Sequence, residues 1–405
     1  MNETVKLKRS VSLLMVTFYG LGTIIGAGIY VLVGKVASEA GQFAPASFLI
    51  AALLAAFTAF SYAELVARYP RSAGEAVYVQ RAFNWPLLSR TVGLLIVLVG
   101  IISTATLANG FVGYLDRFIE LPAWITISVL VIGLGVLAAW GITQSVVVVA
   151  ISSAVAIVGL VMVLWVARGV VVELPQHVGT LLPSADTFVW QGVLLGAFVA
   201  FYAFVGFEDM VNIAEEVRDP SRTLPTAIVL ALVITTFLYV LVAMTAVVGL
   251  PMDKLANSEA PLADMYIQFT GQPATIIIII GLLSVLNGIL VQIIMATRVL
   301  YGMSSQGWLH TWFSHIHLAT RTPLNATIVV VGVVLLMAIT LPLLTLAKMT
   351  SFVTLIIFTL MNLSLWRVKL IKKDYVGFHV PMIVPVMGSF ASGGFVTYQL
   401  IQIIW

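Results

Sequence analysis

The sequence predicts an all-α polytopic membrane protein whose first ten transmembrane helices form two sets of five with inverted topology. Three observations carry that expectation. Of 405 residues, 61% are hydrophobic and 9% charged, against about a quarter charged in a soluble domain. Apolar runs of about 20 residues, the length of one crossing, recur along the whole chain. Two of these runs, the first and the sixth, carry glycine near their centres and read as interrupted helices.

Spans are expected near 11–34, 44–66, 92–114, 122–140, 143–167, 189–214, 223–249, 274–303, 323–342, 348–366 and 381–404, about eleven in all. The basic start, Lys6, Lys8 and Arg9, precedes an apolar run but no small-residue cleavage site, so this is a first span and not a signal peptide. With the N-terminus inside, only Lys35, Arg117, Arg168, Lys254 and Lys348 of the 20 lysines and arginines fall outside. The positive-inside rule therefore sets the N-terminus cytoplasmic and the C-terminus outside, in a bacterial or archaeal plasma membrane. The chain has no cysteine, which removes disulfides and thiolate metal sites.

The first run reads Gly22-Thr23-Ile24-Ile25-Gly26-Ala27-Gly28-Ile29-Tyr30. Each central glycine costs a helix roughly 1 kcal/mol relative to alanine. A lone Gly-x-Gly reads as a notch for close helix packing, but irregular backbone inside a bilayer also persists where it lines a polar cavity. The sixth run settles the reading. In Phe201-Tyr202-Ala203-Phe204-Val205-Gly206-Phe207-Glu208-Asp209, a glycine is followed by two acids at or near membrane depth, where an acid marks function by default. The structural alternative places the acids at the positive end of a half-helix, and it needs the same break at Gly206. Breaks one and six occupy matching places in a first set, residues 1–168, and a second set, residues 189–366. Residues 367–405 add a loop and one further helix. Because each set has five crossings, the second is inverted, and the substrate site belongs at the midplane between the broken helices.

Two loops stand out. Tyr69-Pro70-Arg71-Ser72-Ala73-Gly74-Glu75 and the residues to Phe83 predict a turn and a short helix along the membrane surface, arginines toward headgroups. His310, His315 and His317 lie in an aromatic interfacial loop. With no carboxylate or cysteine nearby they read as solvated histidines, and no metal site is expected.

Four stretches resemble the amino acid, polyamine and organocation superfamily of permeases. They are residues 22–30; Ser61-Tyr62-Ala63-Glu64-Leu65 with Pro70 to Glu75; Phe201 to Pro220 with Thr223-Leu224-Pro225; and Thr297 to Met303. The run from Phe201 to Glu208 is similar to the cationic amino acid transporters and their bacterial relatives. The resemblance implies the LeuT-type fold and an amino-acid substrate. It implies that the substrate carboxylate meets backbone N–H groups at Gly26, Ala27 and Gly28, and that its ammonium meets carbonyls of Thr23, Ile24, Tyr202, Ala203 and Val205. Tyr202, aligned with an aromatic gate in relatives, would close over the substrate, with Phe204 next. Ser103, Thr104 and Ser351 are further pocket candidates, although hydroxyls in spans often bond their own helix.

Coupling stays open at this stage, with Na+ or H+ as the coupling ion and no other cofactor. Relatives that use a span-five lysine would place it at Ala156, which argues against that proton mechanism here. A sodium site of the related kind would use Gly22, Ile25, Leu283 and Ser284, with Ser152 or Ser153 replacing a missing hydroxyl. Glu208 is the candidate proton carrier if burial raises its affinity for a proton, and exchange without an ion is the remaining possibility.

The leading expectation is thus a secondary active amino-acid transporter working by alternating access, with symport as its expected mode and the lipid bilayer and a small-molecule substrate as partners. An exchanger, a facilitator or a non-transporting receptor on the same scaffold are the alternatives, the receptor disfavoured because the chain stops after span eleven. No HExxH or GxSxG motif points to an enzyme, no filter repeat to a channel, and nothing to nucleic-acid binding. No acid other than Glu208 or Asp209 is placed to pair with a cationic side chain, which leans the substrate toward neutral or broad specificity.

Overall fold

The computed structural model describes residues 11–25, 28–71, 74–140, 146–317, 322–372 and 375–404. Its helices in the first half are α1 Leu13–Ile25, α2 Gly28–Ala40, α3 Ala44–Arg68, α4 Gly74–Phe83, α5 Pro86–Leu115, α6 Ala123–Ala139, α7 Val146–Val166 and α8 Arg168–Leu181. In the second half they are α9 Thr187–Phe201, α10 Pro220–Gly249, α11 Met252–Asn257, α12 Pro261–Thr270, α13 Thr275–Ser305, α14 Leu324–Thr340, α15 Leu343–Ile371 and α16 Ile383–Ile404. Every expected span falls on one or two of these helices. Among the described residues, seven stretches are long and apolar enough to cross a membrane, the first being Leu13–Arg68 with 56 residues, which is long enough for two crossings at 1.5 Å per residue. The protein is an integral membrane protein with an all-α fold.

Local sequence accounts for the helix starts. Pro45, Pro86, Pro220 and Pro261 lie in first turns, where a missing N–H costs nothing, and Asp186 caps α9 by accepting the Phe188 N–H at 2.9 Å. Apolar side chains such as Leu53, Val129, Phe237 and Leu336 face outward, as a lipid-facing surface requires. Inside, α3 packs on α9 and α10, α5 on α13 and α15, and α1 on α7 and α10. These contacts set the first break against the sixth. The face where α1 begins is the near face, and the face where α2 ends is the far face.

Two near-face features differ from the expectation. α4 does not lie on the surface with its length exposed: Gly74, Glu75, Tyr78, Val79 and Ala82 are buried against the bundle, because its apolar residues recur at helical spacing and fill the space beneath α3, α5 and α15. The second is a buried ion cluster. Glu64, fully buried, pairs with Arg68 at 2.6 Å and Lys369 at 2.7 Å and accepts the Val380 N–H at 2.8 Å. It therefore ties α3 to α15 and to the segment leading into α16. Removing one partner of such a cluster strands the others in low dielectric, so Glu64→Ala is expected to cost about 3–5 kcal/mol, read as a fall in the detergent melting temperature. An unchanged melting temperature would show that the cluster is not a structural tie.

At the far face, α8 and the short α11 and α12 occupy connections that carry no span. Three ion pairs close this face: Lys35 with Glu259 at 2.8 Å, Arg117 with Asp264 at 2.9 Å and Lys348 with Glu39 at 2.6 Å.

Candidate functional site

The interruption of the sixth run is present where Gly206 places it, whereas the break expected at Gly26 and Ala27 falls outside the described residues, between the end of α1 at Ile25 and the start of α2 at Gly28. α9 ends at Phe201, a 3-10 turn covers Tyr202–Phe204, Val205 is extended, and a second 3-10 segment runs Phe207–Ile213. Gly206 has φ +131°, a conformation that side chains do not adopt without strain.

The two breaks touch backbone to backbone. A Cβ on Gly206 would lie 2.5 Å from the Thr23 carbonyl oxygen, and one on Gly28 would lie 2.6 Å from Ala203 Cα. Gly22 meets Ser153 and the Val149 carbonyl of α7 in the same manner. Each glycine is thus required by close approach. From α10, the Tyr239 hydroxyl reaches the Ile24 carbonyl at 2.9 Å and the Ala203 carbonyl at 3.1 Å, so one proton serves acceptors on both breaks. A second hydroxyl chain holds α2: Tyr114 donates to the Tyr30 carbonyl at 2.8 Å, and Tyr30 donates to the Ala156 carbonyl at 2.6 Å.

Between the breaks lies a cavity of about 30 Å3, room for a water or two. Of the expected site residues, Gly22, Thr23, Ile24, Gly28, Ser103, Tyr202 and Val205 line it. The Tyr202 hydroxyl sits 3.1 Å from Ser103 Oγ. Ala203, Phe204, Thr104 and Ser351 line neither this cavity nor the larger one below it. Phe204 packs edge-on against Tyr239, ring centroids 5.2 Å apart, and Thr104 donates to its own helix at Gly100. Among the coupling candidates, Ser153 donates to Val149 at 2.6 Å and Ser284 to Ile280 at 2.8 Å. Ile25 and Ser284 are buried away from both cavities, and the Leu283 side chain is half exposed on the outer surface. Glu208 Oε2 accepts the Gly206 N–H at 2.8 Å, capping the 3-10 segment from within.

The residues that sequence reasoning left out of the site are Asp209, Asn287, Gln292, Tyr239 and Glu75. Asn287 and Gln292 line the small cavity from α13. Their signal was present, since amides in an apolar span face the interior. Asp209 lines both cavities, with Val291 the other residue shared between them, and its Oδ2 is buried without a hydrogen-bond partner. The larger cavity, about 920 Å3, opens toward the near face and is lined among others by Tyr19, Glu75, Glu216 and Arg298. Burial pushes the Glu75 carboxyl up to about 7; its backbone N–H opposes this, the neighbouring Asp209 charge reinforces it, and the Tyr62 hydroxyl opposes it.

Comparison with known proteins follows the same lines. An amino acid permease family model matches residues 11–403. The vacuolar cationic amino acid transporter 4 of Arabidopsis thaliana is 31% identical over 390 residues, covering 91% of this chain and 64% of that protein. The branched-chain amino acid permease BcaP of Bacillus subtilis is 30% identical over 381 residues, 88% of this chain and 80% of the permease. Human cationic amino acid transporter 4 is 29% identical over 385 residues, 89% of this chain but 59% of that protein, so the chain spans under two thirds of some of these relatives. The crystal structure of the Eremococcus coleocola manganese transporter superposes with a TM-score of 0.64 at 14% identity, covering 99% of this chain and 89% of that one, a likeness of fold alone. The family model matches nearly the whole length: the chain belongs to the amino acid permease family.

Proposed function

We propose that the protein is a secondary transporter that carries amino acids across the membrane by alternating access, binding them between its two broken helices. One observation carries the reading. The first glycine-bearing segment, at Thr23 and Gly28, packs backbone to backbone against the broken sixth helix around a small cavity, which meets a large near-face cavity at Asp209 and Val291, while ion pairs close the far face. Positive-inside counting makes the near face cytoplasmic, so this conformation faces inward. The small cavity holds water but not an amino acid, which enters as the two breaks separate.

In this reading, residues 1–168 and 189–366 are the two inverted repeats. The N–H groups of Gly26, Ala27 and Gly28 are assigned to the substrate carboxylate, and the Thr23 and Val205 carbonyls to its ammonium. Ile24 and Ala203 already accept from Tyr239, and each carbonyl keeps a second lone pair for the ligand. Ser103, Tyr202, Asn287 and Gln292 face the substrate side chain. The relatives' names, cationic transporters and a branched-chain permease, support amino acids as the substrate class. For coupling, Na+ held by Gly22, Ile25, Ser153 and Ser284 is one candidate, with both serine hydroxyls bonded to their own helices in this conformation, and H+ carried by Glu208 is the other.

The test is uptake of a radiolabelled amino-acid panel into proteoliposomes, with and without imposed Na+ and proton gradients. Concentrative uptake with one gradient supports symport driven by that ion, and uptake that only equilibrates or needs internal substrate supports a facilitator or exchanger. Absence of uptake and of binding for every amino acid contradicts the reading.

A further inference from the structure

Three carboxyl groups converge below the second break without a cation to match them. Glu75 opens α4, and Glu208 and Asp209 open the 3-10 segment. The two elements are in contact, since a Cβ on Gly74 would lie 2.5 Å from Val211 Cγ2. Glu75 and Asp209 are 4% and 6% exposed, and both line the near-face cavity. Glu75 Oε1 accepts the Tyr62 hydroxyl at 3.3 Å, Glu208 is occupied by the Gly206 N–H, and Asp209 Oδ2 accepts nothing.

The charged groups on the surrounding elements are engaged elsewhere. On α3 and α15, Arg68 and Lys369 belong to Glu64. Arg367 lies over Phe83, Lys372 over Tyr69 and Arg90 of α5 over Trp308. Arg71 faces Glu215 and Arg222 faces Asp219. Arg81 of α4 and Arg298 of α13 line the cavity wall with Glu216, and Tyr19, Tyr62 and Tyr78 contribute hydroxyls. Among the described residues no lysine or arginine nitrogen lies within 4.0 Å of Glu75, Glu208 or Asp209. Like charges crowded into a poorly solvated site repel strongly, and binding a proton relieves that repulsion. Glu75 and Asp209 both line the open cavity, and once protonated Glu75 gains a hydrogen to give, with Asp209 Oδ2 the unpartnered acceptor on the same cavity.

We propose that Glu75 is a proton-binding site of this transporter, loaded from the near-face cavity and emptied during the transport cycle, so that a proton moves with the amino acid. This rests on the transporter reading above. On loading, an O–H bond of hydronium in the cavity breaks and a Glu75 carboxylate O–H forms, leaving water; on release the Glu75 O–H breaks and the proton passes to water reached from the far face, with no other bond made or broken. Burial holds the Glu75 carboxyl at about 7, where it is half occupied near neutral pH, and the Asp209 charge contributes to that position.

The experiment uses the full chain in proteoliposomes, comparing wild type with Glu75→Gln and Asp209→Asn. Wild type is expected to accumulate amino acid when a proton gradient is imposed. Glu75→Gln should lose that accumulation while keeping exchange against internal amino acid, and its exchange rate should no longer vary with pH. Asp209→Asn should move the wild-type pH midpoint downward, because the negative charge that favours the Glu75 proton is gone. If Glu75→Gln loses exchange as well, Glu75→Asp decides: proton-driven accumulation with a displaced midpoint supports the proposal, and its absence overturns it. Accumulation by Glu75→Gln equal to wild type also overturns it, as does wild-type uptake indifferent to the proton gradient; in both cases amino-acid transport itself stands. Selective loss of cationic substrates in Asp209→Asn, with the midpoint unmoved, would make Asp209 a counter-ion for substrate and contradict the proton site. No transport by wild type under any gradient would instead remove the transporter reading.

Discussion

Gly206→Ala is expected to reduce amino-acid uptake at least about tenfold, corresponding to about 1.4 kcal/mol or more. Two costs combine at this position. The φ of +131° imposes about 1–3 kcal/mol of strain on any residue with a Cβ, and the new methyl would lie 2.5 Å from the Thr23 carbonyl oxygen. That neighbour is backbone of the first break and has no rotamer to yield. Relief therefore separates the two breaks and displaces the carbonyls of the proposed site. Gly271 is the control: its φ is +68° and nothing lies within 4 Å of a Cβ there, so Gly271→Ala should cost about 1 kcal/mol of stability and leave uptake intact. Equal uptake by wild type and Gly206→Ala, at equal levels in the membrane, would show that close contact between the breaks is not needed.

Tyr239→Phe is expected to lower both stability and uptake. The hydroxyl is fully buried and bridges the Ile24 and Ala203 carbonyls, whereas the ring, packed between Phe48 and Phe204, is retained in the variant. Loss of a buried donor leaves two carbonyls short of a partner, at about 1–3 kcal/mol. A melting temperature in detergent reads the first effect, and initial uptake rates read the second. A variant matching wild type in both would mean that the bridge is incidental to holding the breaks together.

The elements legible in the sequence are those set by local chemistry. Length and hydropathy located the long apolar helices, since each needs only its own residues to be apolar. The break at Gly206 was legible because glycine in an apolar run has few explanations, and Gly22, Gly28 and Gly206 do stand at close approaches. What the sequence could not show depends on distant partners. Tyr239 is one tyrosine in an ordinary-looking span, and its role comes from carbonyls 215 and 36 residues away. The two adjacent acids were visible, but their division of labour was not. The 3-10 path after Gly206 turns Glu208 back onto the Gly206 N–H and leaves Asp209 on the cavities. Glu75 was legible as part of a loop motif, whereas its burial depends on how α4 seats beneath α3, α5 and α15. Tyr30, the last residue of the first motif, proved to be tied to Ala156, the position at which relatives with a span-five lysine would carry it.

The central claim is that amino acids bind between the breaks, on a path that passes Val291. The chain has no cysteine, so a single Val291→Cys variant reports on that point alone through its rate of labelling by a small thiol reagent in proteoliposomes. The account predicts labelling from the near face, slowed by a saturating concentration of a transported amino acid and unaffected by one that is not transported. Labelling at the same rate with and without every transported amino acid would contradict it.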